Sequence, residues 1–315
     1  MRAVILTYGS AGVHVPLLES LVAEGLEPER ILVVHNPSLP QEPDPELLPG
    51  CEYLRMSHNL GYAAAMNRGI EHQLEREGEL LLLLTHDARL RGGALAALLG
   101  AAAGSDYGVL GPTLLFTGTD EPFSIGGLTR PNGTMTHRLE PPRGVEGVAP
   151  CDWVDGGTML LRAEVPRRVG GFDEGFWGYC EEADFCLRAT RAGYRVGVVL
   201  AAEVDQDPGG PKRLGPWSYL MTRNAIAYAQ RAVGRRGSAF VTVRAVLQVL
   251  YAAARTAVRG IGLRPAPAIE PWSEAVGTAR GCLDFYRRHW GPPPRLPGAG
   301  DMSNVEAPGG GGDGG

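Results

Sequence analysis

The chain has 315 residues, 44% of them hydrophobic, with a formal net charge of −5 and a pI near 5.8. That length suits one large domain or two small ones with a sizeable core. The acid excess excludes a general nucleic-acid binder, which needs a basic footprint to displace counterions, so any anionic ligand must be met locally. Cys51, Cys151, Cys180, Cys186 and Cys282 form an odd set without metal-type spacing, and no signal peptide precedes the first apolar run. The expected setting is a reducing cytoplasm. A single lysine, Lys212, against many arginines, with abundant Ala and Gly, is a high-GC bacterial composition.

Residues 3–8 are a short apolar run, followed by a Gly-Ser-Ala-Gly loop and an amphipathic segment over 15–23, which read as strand, loop and helix. Residues 31–34 read as a second strand. A helix starts after Gly61 and runs through residue 74. Residues 80–84 are too short to span a membrane and too apolar for a sheet edge, so they read as a buried parallel strand. This alternation over the first 115 residues predicts a doubly wound α/β unit that binds ligands at the carboxyl ends of its strands, where Thr7, His35 and Asp87 lie.

Residues 117–150 are rich in Gly, Pro and Thr, and Pro131-Asn132-Gly133-Thr134 reads as a hairpin turn between short antiparallel strands. Over 238–259 a helical pattern sets Phe240, Val243, Leu247, Leu250, Tyr251 and Val258 on one side, bordered by Arg244, Arg255 and Arg259. Two readings stay open for it: a helix packed on the domain, or a basic amphipathic helix on an anionic membrane surface. No segment reads as long and apolar enough to cross a bilayer. The last stretch, rich in Pro, Gly and Asp, reads as a disordered tail. The expected organisation is a nucleotide-binding α/β half (1–117), a catalytic and acceptor-binding half (118–235), C-terminal helices (236–295) and the tail (296–315).

The densest signal is at residues 170–188, where Glu181, Glu182 and Asp184 fall within four positions, between Gly and aromatic residues and the start of a helix. Carboxylates at a helix start meet the favourable end of the macrodipole, which suits a base held ionised in a partly dry pocket. Asp184 and Arg188, one turn apart, read as a structural pair.

This stretch resembles the glycine-phenylalanine-aspartate and acidic-pair region of the family 2 glycosyltransferases of GT-A fold, especially their rhamnosyltransferase-like branch. Further segments follow in the same order: Val4-Ile5-Leu6-Thr7-Tyr8, Val33-Val34-His35-Asn36-Pro37-Ser38, residues 59–69, residues 81–87, Asp152-Trp153-Val154-Asp155-Gly156-Gly157, and Tyr219-Leu220-Met221-Thr222-Arg223-Asn224. The resemblance covers roughly residues 1–235. It implies an α/β fold of GT-A type with a mixed central sheet and C-terminal helices. The implied activity is inverting transfer of a sugar, rhamnose or another deoxysugar, from a nucleoside diphosphate to an acceptor hydroxyl on a polysaccharide, a lipid carrier or a small molecule.

By that resemblance Glu182 is the catalytic base, with Glu181 as rival, and Thr7, His35, Asn36, Asn59, Gly61 and Asn67 contact the nucleotide. Trp153, Asp155, Gly156, Gly157, Trp177, Lys212, Arg213 and Arg223 face donor sugar, diphosphate or acceptor. Asp87, with Asp205 or Asp207, would hold Mg2+ or Mn2+, since a hard cation bridging two phosphates takes oxygen ligands. Three positions depart from the family pattern: His35 and Thr85 replace acids, and Gln206 stands near an expected histidine. A competing reading is therefore a non-catalytic sugar-nucleotide-binding partner in a membrane-associated assembly. The absence of an arginine-containing glycine loop after the first strand disfavours a nucleotidyltransferase. The implied location is cytoplasmic, at the inner face of a membrane, with peripheral contact through the C-terminal helix.

Overall fold

The computed structural model describes residues 1–8, 14–38, 43–45, 47–206, 215–260 and 269–296, with backbone alone at 255–260 and 269–271. The chain runs β1 (Arg2–Thr7), α1 (Val15–Ala23), β2 (Ile31–His35), β3 (Glu52–Arg55), α2 (Gly61–Leu74), β4 (Leu80–Thr85), β5 (Arg89–Leu90), α3 (Ala94–Ala103) and β6 (Tyr107–Leu115). Next come β7 (Pro122–Ser124), β8 (Gly127–Thr129), β9 (Met135–His137), β10 (Val148–Pro150), β11 (Thr158–Arg162), α4 (Glu164–Val169), α5 (Glu181–Arg191) and β12 (Arg195–Asp205). The helices α6 (Gly215–Val233), α7 (Arg235–Gly260) and α8 (Ile269–Tyr286) close the described chain.

The leucine run of β4 has no polar alternation because both of its faces are covered. Leu81 and Leu83 join Val4 and Leu6 in the core beneath α2 and α5, while Leu82 and Leu84 join Ala3 and Ile5 against α1 and α3. Strands β3, β2, β1 and β4 pair in parallel, but β11 runs antiparallel to both β4 and β6, which makes the sheet mixed. Its path is β10-β12-β6-β11-β4-β1-β2-β3, with β5 on β12 and β7 on β6. The boundary expected at 117/118 falls between β6 and β7, which are paired neighbours within this one sheet. Residues 127–137 form the anticipated hairpin as a separate ribbon, β8 against β9, whose turn places Gly133 at φ +83.

The carboxyl ends of β1, β2 and β4 are tied together. Asn36 N donates to Thr7 O at 2.9 Å and His86 N donates to Leu6 O at 3.1 Å. The first turn of α5 is anchored by Asp184, a fully buried carboxylate that accepts from Arg188 at 2.8 Å and from Arg231 at 2.7 Å.

The turn leading into α5 is unusual. Trp177, Tyr179 and Cys180 have φ of 66°, 70° and 68°, left-handed conformations that cost of order 1–3 kcal/mol each outside glycine. Two neighbouring residues of α6 hold them there. Asn224 Nδ2 donates to the carbonyls of Phe176, Gly178 and Tyr179 at 2.8–2.9 Å. Arg223, fully buried, donates to the carbonyls of Phe176 at 2.9 Å, Gly175 at 3.2 Å and Gly291 at 2.8 Å. Arg223, expected to meet the donor or acceptor, is thus committed to backbone.

Helix α7 departs from expectation in its length and apolarity. Its stretch Arg235–Ala254, of mean hydropathy 1.4, is long and apolar enough by length and composition to cross a bilayer. Scattered arginines divide the apolar runs in the sequence, whereas the helix is continuous. Its apolar side also faces solvent: Phe240, Val243, Val246, Leu247, Leu250 and Tyr251 are exposed, and the buried positions are Gly237, Ser238, Val241 and Ala245.

Replacing Asn224 by Ala would strand buried carbonyls of the 176–179 turn, at a cost of about 1–3 kcal/mol. Urea denaturation should show an unfolding midpoint lowered to match, and an unchanged midpoint would contradict the clamp.

Candidate active site

With α5 fixed by Asp184 on one side and the left-handed turn at its start, Glu181 and Glu182 face inward. They border a cavity of about 410 Å³ at the carboxyl edge of the sheet. Asp87 and Thr85 enter the same cavity from the end of β4, Asn36 from β2, Asn59 and Gly61 from the start of α2, and Asp155, Gly156 and Gly157 from the segment before β11. The acids near positions 87 and 182 therefore share one cleft, with Trp177 and Gln206 also in its wall.

The local geometry explains several residue types. Gly61 sits at φ +78, and a Cβ there would lie 2.4 Å from the Trp177 carbonyl oxygen. Asn36 accepts from Leu60 N at 2.8 Å and donates to Asn59 Oδ1 at 3.0 Å, which shapes the turn into α2. A Cβ on Gly157 would lie 2.3 Å from the Gln206 amide, so glycine admits that side chain. Gln206 Nε2 donates to Asp87 Oδ1 at 3.1 Å and to Thr85 Oγ1 at 2.9 Å, and Thr85 Oγ1 donates to Asp87 at 2.6 Å. Gln206 Oε1 is buried with no hydrogen-bond partner among the described residues.

Other expected residues lie elsewhere. His35 is buried behind the edge, with Nδ1 3.1 Å from the Tyr53 hydroxyl and 3.2 Å from Arg55 Nη1. Thr7 is buried at the end of β1, and neither residue lines the cavity. Asn67 bridges α2 to the 171–174 loop, donating to Phe172 O at 2.9 Å and accepting from Phe172 N at 2.8 Å. Asp205 is held by Arg91 at 2.8 Å, which removes it from the expected ligand set. Asp207, Lys212 and Arg213 lie outside the described residues. Among the described residues no group of three or more His, Cys, Asp and Glu gathers as a metal cluster. The oxygens of Asp87 and Gln206 are the donor pair suited to a hard cation.

A second cavity, of about 490 Å³, lies on the other side of Glu182 and runs toward α7. It shares His137, Asp155, Tyr179 and Glu182 with the first. Trp153 lines only this second cavity, edge-on to His137 with ring centroids 5.0 Å apart. Asp155 accepts a short bond from the Ser124 hydroxyl, and His137 Nδ1 lies 3.0 Å from Ser124 Oγ and 3.5 Å from Asp155 Oδ1. Ser124, His137 and Tyr62, which donates to Gly156 O at 2.6 Å, are site residues the motifs did not reveal. All three residues of β9, Met135, Thr136 and His137, line the second cavity, so strand alternation does not single out His137.

The acids bordering the two cavities are electrostatically tense. Burial pushes Glu182 up to about 7, against the pull of backbone N–H groups at the helix start, and the Asp155 charge adds to the rise. Glu181 is raised well above the ordinary carboxylate range by burial and then by Glu182, and its Oε2 finds no partner among the described residues. Burial also raises Asp155, with His137 and the Ser124 bond opposing.

No family model matches the chain. It is 27% identical over 254 residues to N-acetylglucosaminyl-diphospho-decaprenol L-rhamnosyltransferase of Mycobacterium tuberculosis, an alignment that covers 72% of this chain and 82% of that protein. A 50-residue stretch, 16% of this chain and 19% of the relative, is 48% identical to the rhamnosyltransferase WbbL of Escherichia coli. The fold matches the crystal structure of GalNAc-T7 with UDP, GalNAc and Mn2+ at a TM-score of 0.53 and 14% identity, over 67% of this chain and 45% of that one. With the mixed sheet, the strand-end carboxylate and the acidic helix start in place, the chain is a glycosyltransferase of GT-A fold that is similar in sequence to rhamnosyltransferases.

Proposed function

We propose that the chain moves a sugar from a nucleoside diphosphate to an acceptor hydroxyl with inversion at the anomeric carbon, and that Glu182 is the base. One observation carries this reading: Glu182 stands in the wall common to two cavities, whereas Glu181 borders only the first. The donor occupies the cavity bounded by Asp87, and the acceptor the one lined by Trp153 and Trp217. The ionised Glu182 takes the acceptor hydroxyl proton as that oxygen bonds to the anomeric carbon. The bond from that carbon to the diphosphate oxygen breaks, and the nucleoside diphosphate leaves with the electron pair. A base titrating near 7 is matched to this task at neutral pH. A site with Glu182 between two cavities disfavours the non-catalytic reading.

The described lining of the donor cavity has several carboxylates and no Arg or Lys. A diphosphate placed there needs positive charge, which supports Mg2+ or Mn2+ on the Asp87 carboxylate and the orphaned Gln206 carboxamide oxygen. Such a cation neutralises the leaving diphosphate. In the M. tuberculosis relative's name the transferred sugar is L-rhamnose and the acceptor a diphospho-decaprenol glycolipid. A deoxysugar donor and a lipid-linked acceptor at the inner face of a membrane are our reading for this chain. Residues 235–260 carry five arginines and no acid, and α7 exposes an apolar face, as an interfacial helix on an anionic bilayer does. Val241 and Ala245 pack inward, which supports lying on the bilayer rather than crossing it.

Glu182→Gln should lower kcat by at least 100-fold, the lower range of general-base contributions, with nucleotide-induced thermal shifts retained. Unchanged turnover would remove Glu182 from the mechanism. Because the base acts ionised and burial raises it to about 7, kcat should climb with pH through a limb centred near 7; a limb near the ordinary carboxylate range would contradict the assignment. In a thermal-shift panel of nucleoside diphosphates, Mn2+ should enlarge the rise in Tm, and Asp87→Asn should abolish that increment. An increment that survives in the variant would place the cation elsewhere. Leu247→Asp with Leu250→Asp should release the chain from phosphatidylglycerol vesicles in flotation, and equal partitioning would count against membrane contact.

A further inference from the structure

The second cavity has a charge layout that the transfer reaction alone does not explain. Its described lining includes three carboxylates, Asp155, Glu182 and Glu274, and only one Arg or Lys, Arg244 of α7. Arg244 is exposed and forms no hydrogen bond or ion pair with the described residues. An anionic group entering this cavity has one cationic place to rest. Arg244 comes from the terminal helices, as does Glu274, whereas Asp155 and Glu182 come from the sheet edge and α5.

Arg244 also belongs to the exposed side of α7. Phe240 lies one turn before it, Leu247 one turn after and Tyr251 two turns after, all solvent-exposed. The cavity thus joins Glu182, the aromatic residues Trp153 and Trp217 and the Arg244 guanidinium, and the helix that carries Arg244 also exposes an apolar strip at Phe240, Leu247 and Tyr251. Those chemistries match an amphiphile whose sugar is joined to a hydrocarbon chain through phosphate. The guanidinium fork matches phosphate oxygens bidentately, which suits a phosphoryl link better than a neutral glycerol or peptide link.

We propose that the second cavity, with Arg244 at its α7 side, is the head-group subsite for a lipid phosphate or diphosphate acceptor, with the hydrocarbon chain along Phe240, Leu247 and Tyr251. This rests on the transfer reading above, and deepens it by assigning the residue that recognises the acceptor's phosphate. The acceptor hydroxyl then faces Glu182 while the phosphate is held by Arg244.

The test uses the full chain and three probes, farnesyl diphosphate, farnesol and inorganic pyrophosphate, in isothermal titration at saturating nucleoside diphosphate so that the donor cavity is filled. Farnesyl diphosphate should bind more tightly than either fragment. Arg244→Ala should weaken it by about tenfold or more, as expected for losing a charged hydrogen bond, and Arg244→Glu further, with farnesol affinity unchanged. The nucleotide-induced thermal shift of both variants should equal that of the unaltered chain, which reports an intact fold and donor cavity. Unaltered farnesyl diphosphate affinity in both variants, no binding to the unaltered chain, or displacement of the probe by nucleoside diphosphate would each overturn the subsite. Retained turnover in Glu182→Gln would instead overturn the base assignment, so the two failures are separable.

Discussion

The molecule depends on a short stretch of backbone that would not hold its shape alone. Three departures into left-handed space within four residues, at Trp177, Tyr179 and Cys180, turn the chain so that α5 begins with two glutamates pointing into the protein. The buried Arg223–Asn224 pair stabilises that turn by converging on its carbonyls. Gly61 yields the space that the Trp177 carbonyl occupies, which couples the start of α2 to the start of α5. The two ends of the site are thus built on each other. A looser turn would let Glu182 rotate toward solvent, where it would titrate as an ordinary carboxylate.

The acids of the site are kept close at an energetic cost. Glu181, Glu182 and Asp155 are all raised by burial, so the site holds protons that exposed acids would release. The Ser124–His137 arrangement beside Asp155 favours the charged form of that residue. Glu182 then carries the adjustable charge, with its titration near neutrality. Under the proposed donor assignment the problem is reversed: a diphosphate beside Asp87 would meet acids and amides, and a divalent cation would balance the charge.

Much of the architecture was legible from pattern. The unbroken leucines of β4 require cover on both faces, and Pro131-Asn132-Gly133-Thr134 turns the β8–β9 ribbon. The family resemblance gathered Asp87, Glu182, Asp155, Gly157 and Asn36, which the fold brings to one cavity. It did not separate residues that touch a ligand from residues that shape the site. Asn67 and Arg223 carry family motifs yet are consumed by backbone carbonyls, and Asp205 is consumed by Arg91, an ion pair between residues far apart in the chain. His137 was missed because a lone histidine on a three-residue strand has no local signature until the ribbon is folded over Trp153. In α7 the periodicity was legible, but its direction was not: the apolar stripe looks the same in sequence whether it faces a core or a bilayer.

Asp87 and Glu182 line one cavity, and our proposal has them act there on a single donor. Anomalous diffraction from crystals grown with a nucleoside diphosphate and Mn2+ tests this most directly. The claim predicts an Mn2+ peak within coordination distance of Asp87 and the Gln206 carboxamide oxygen, with the diphosphate in the cavity that Glu182 borders. A nucleotide and metal bound outside that cavity, with Glu182 in no contact with it, would contradict it.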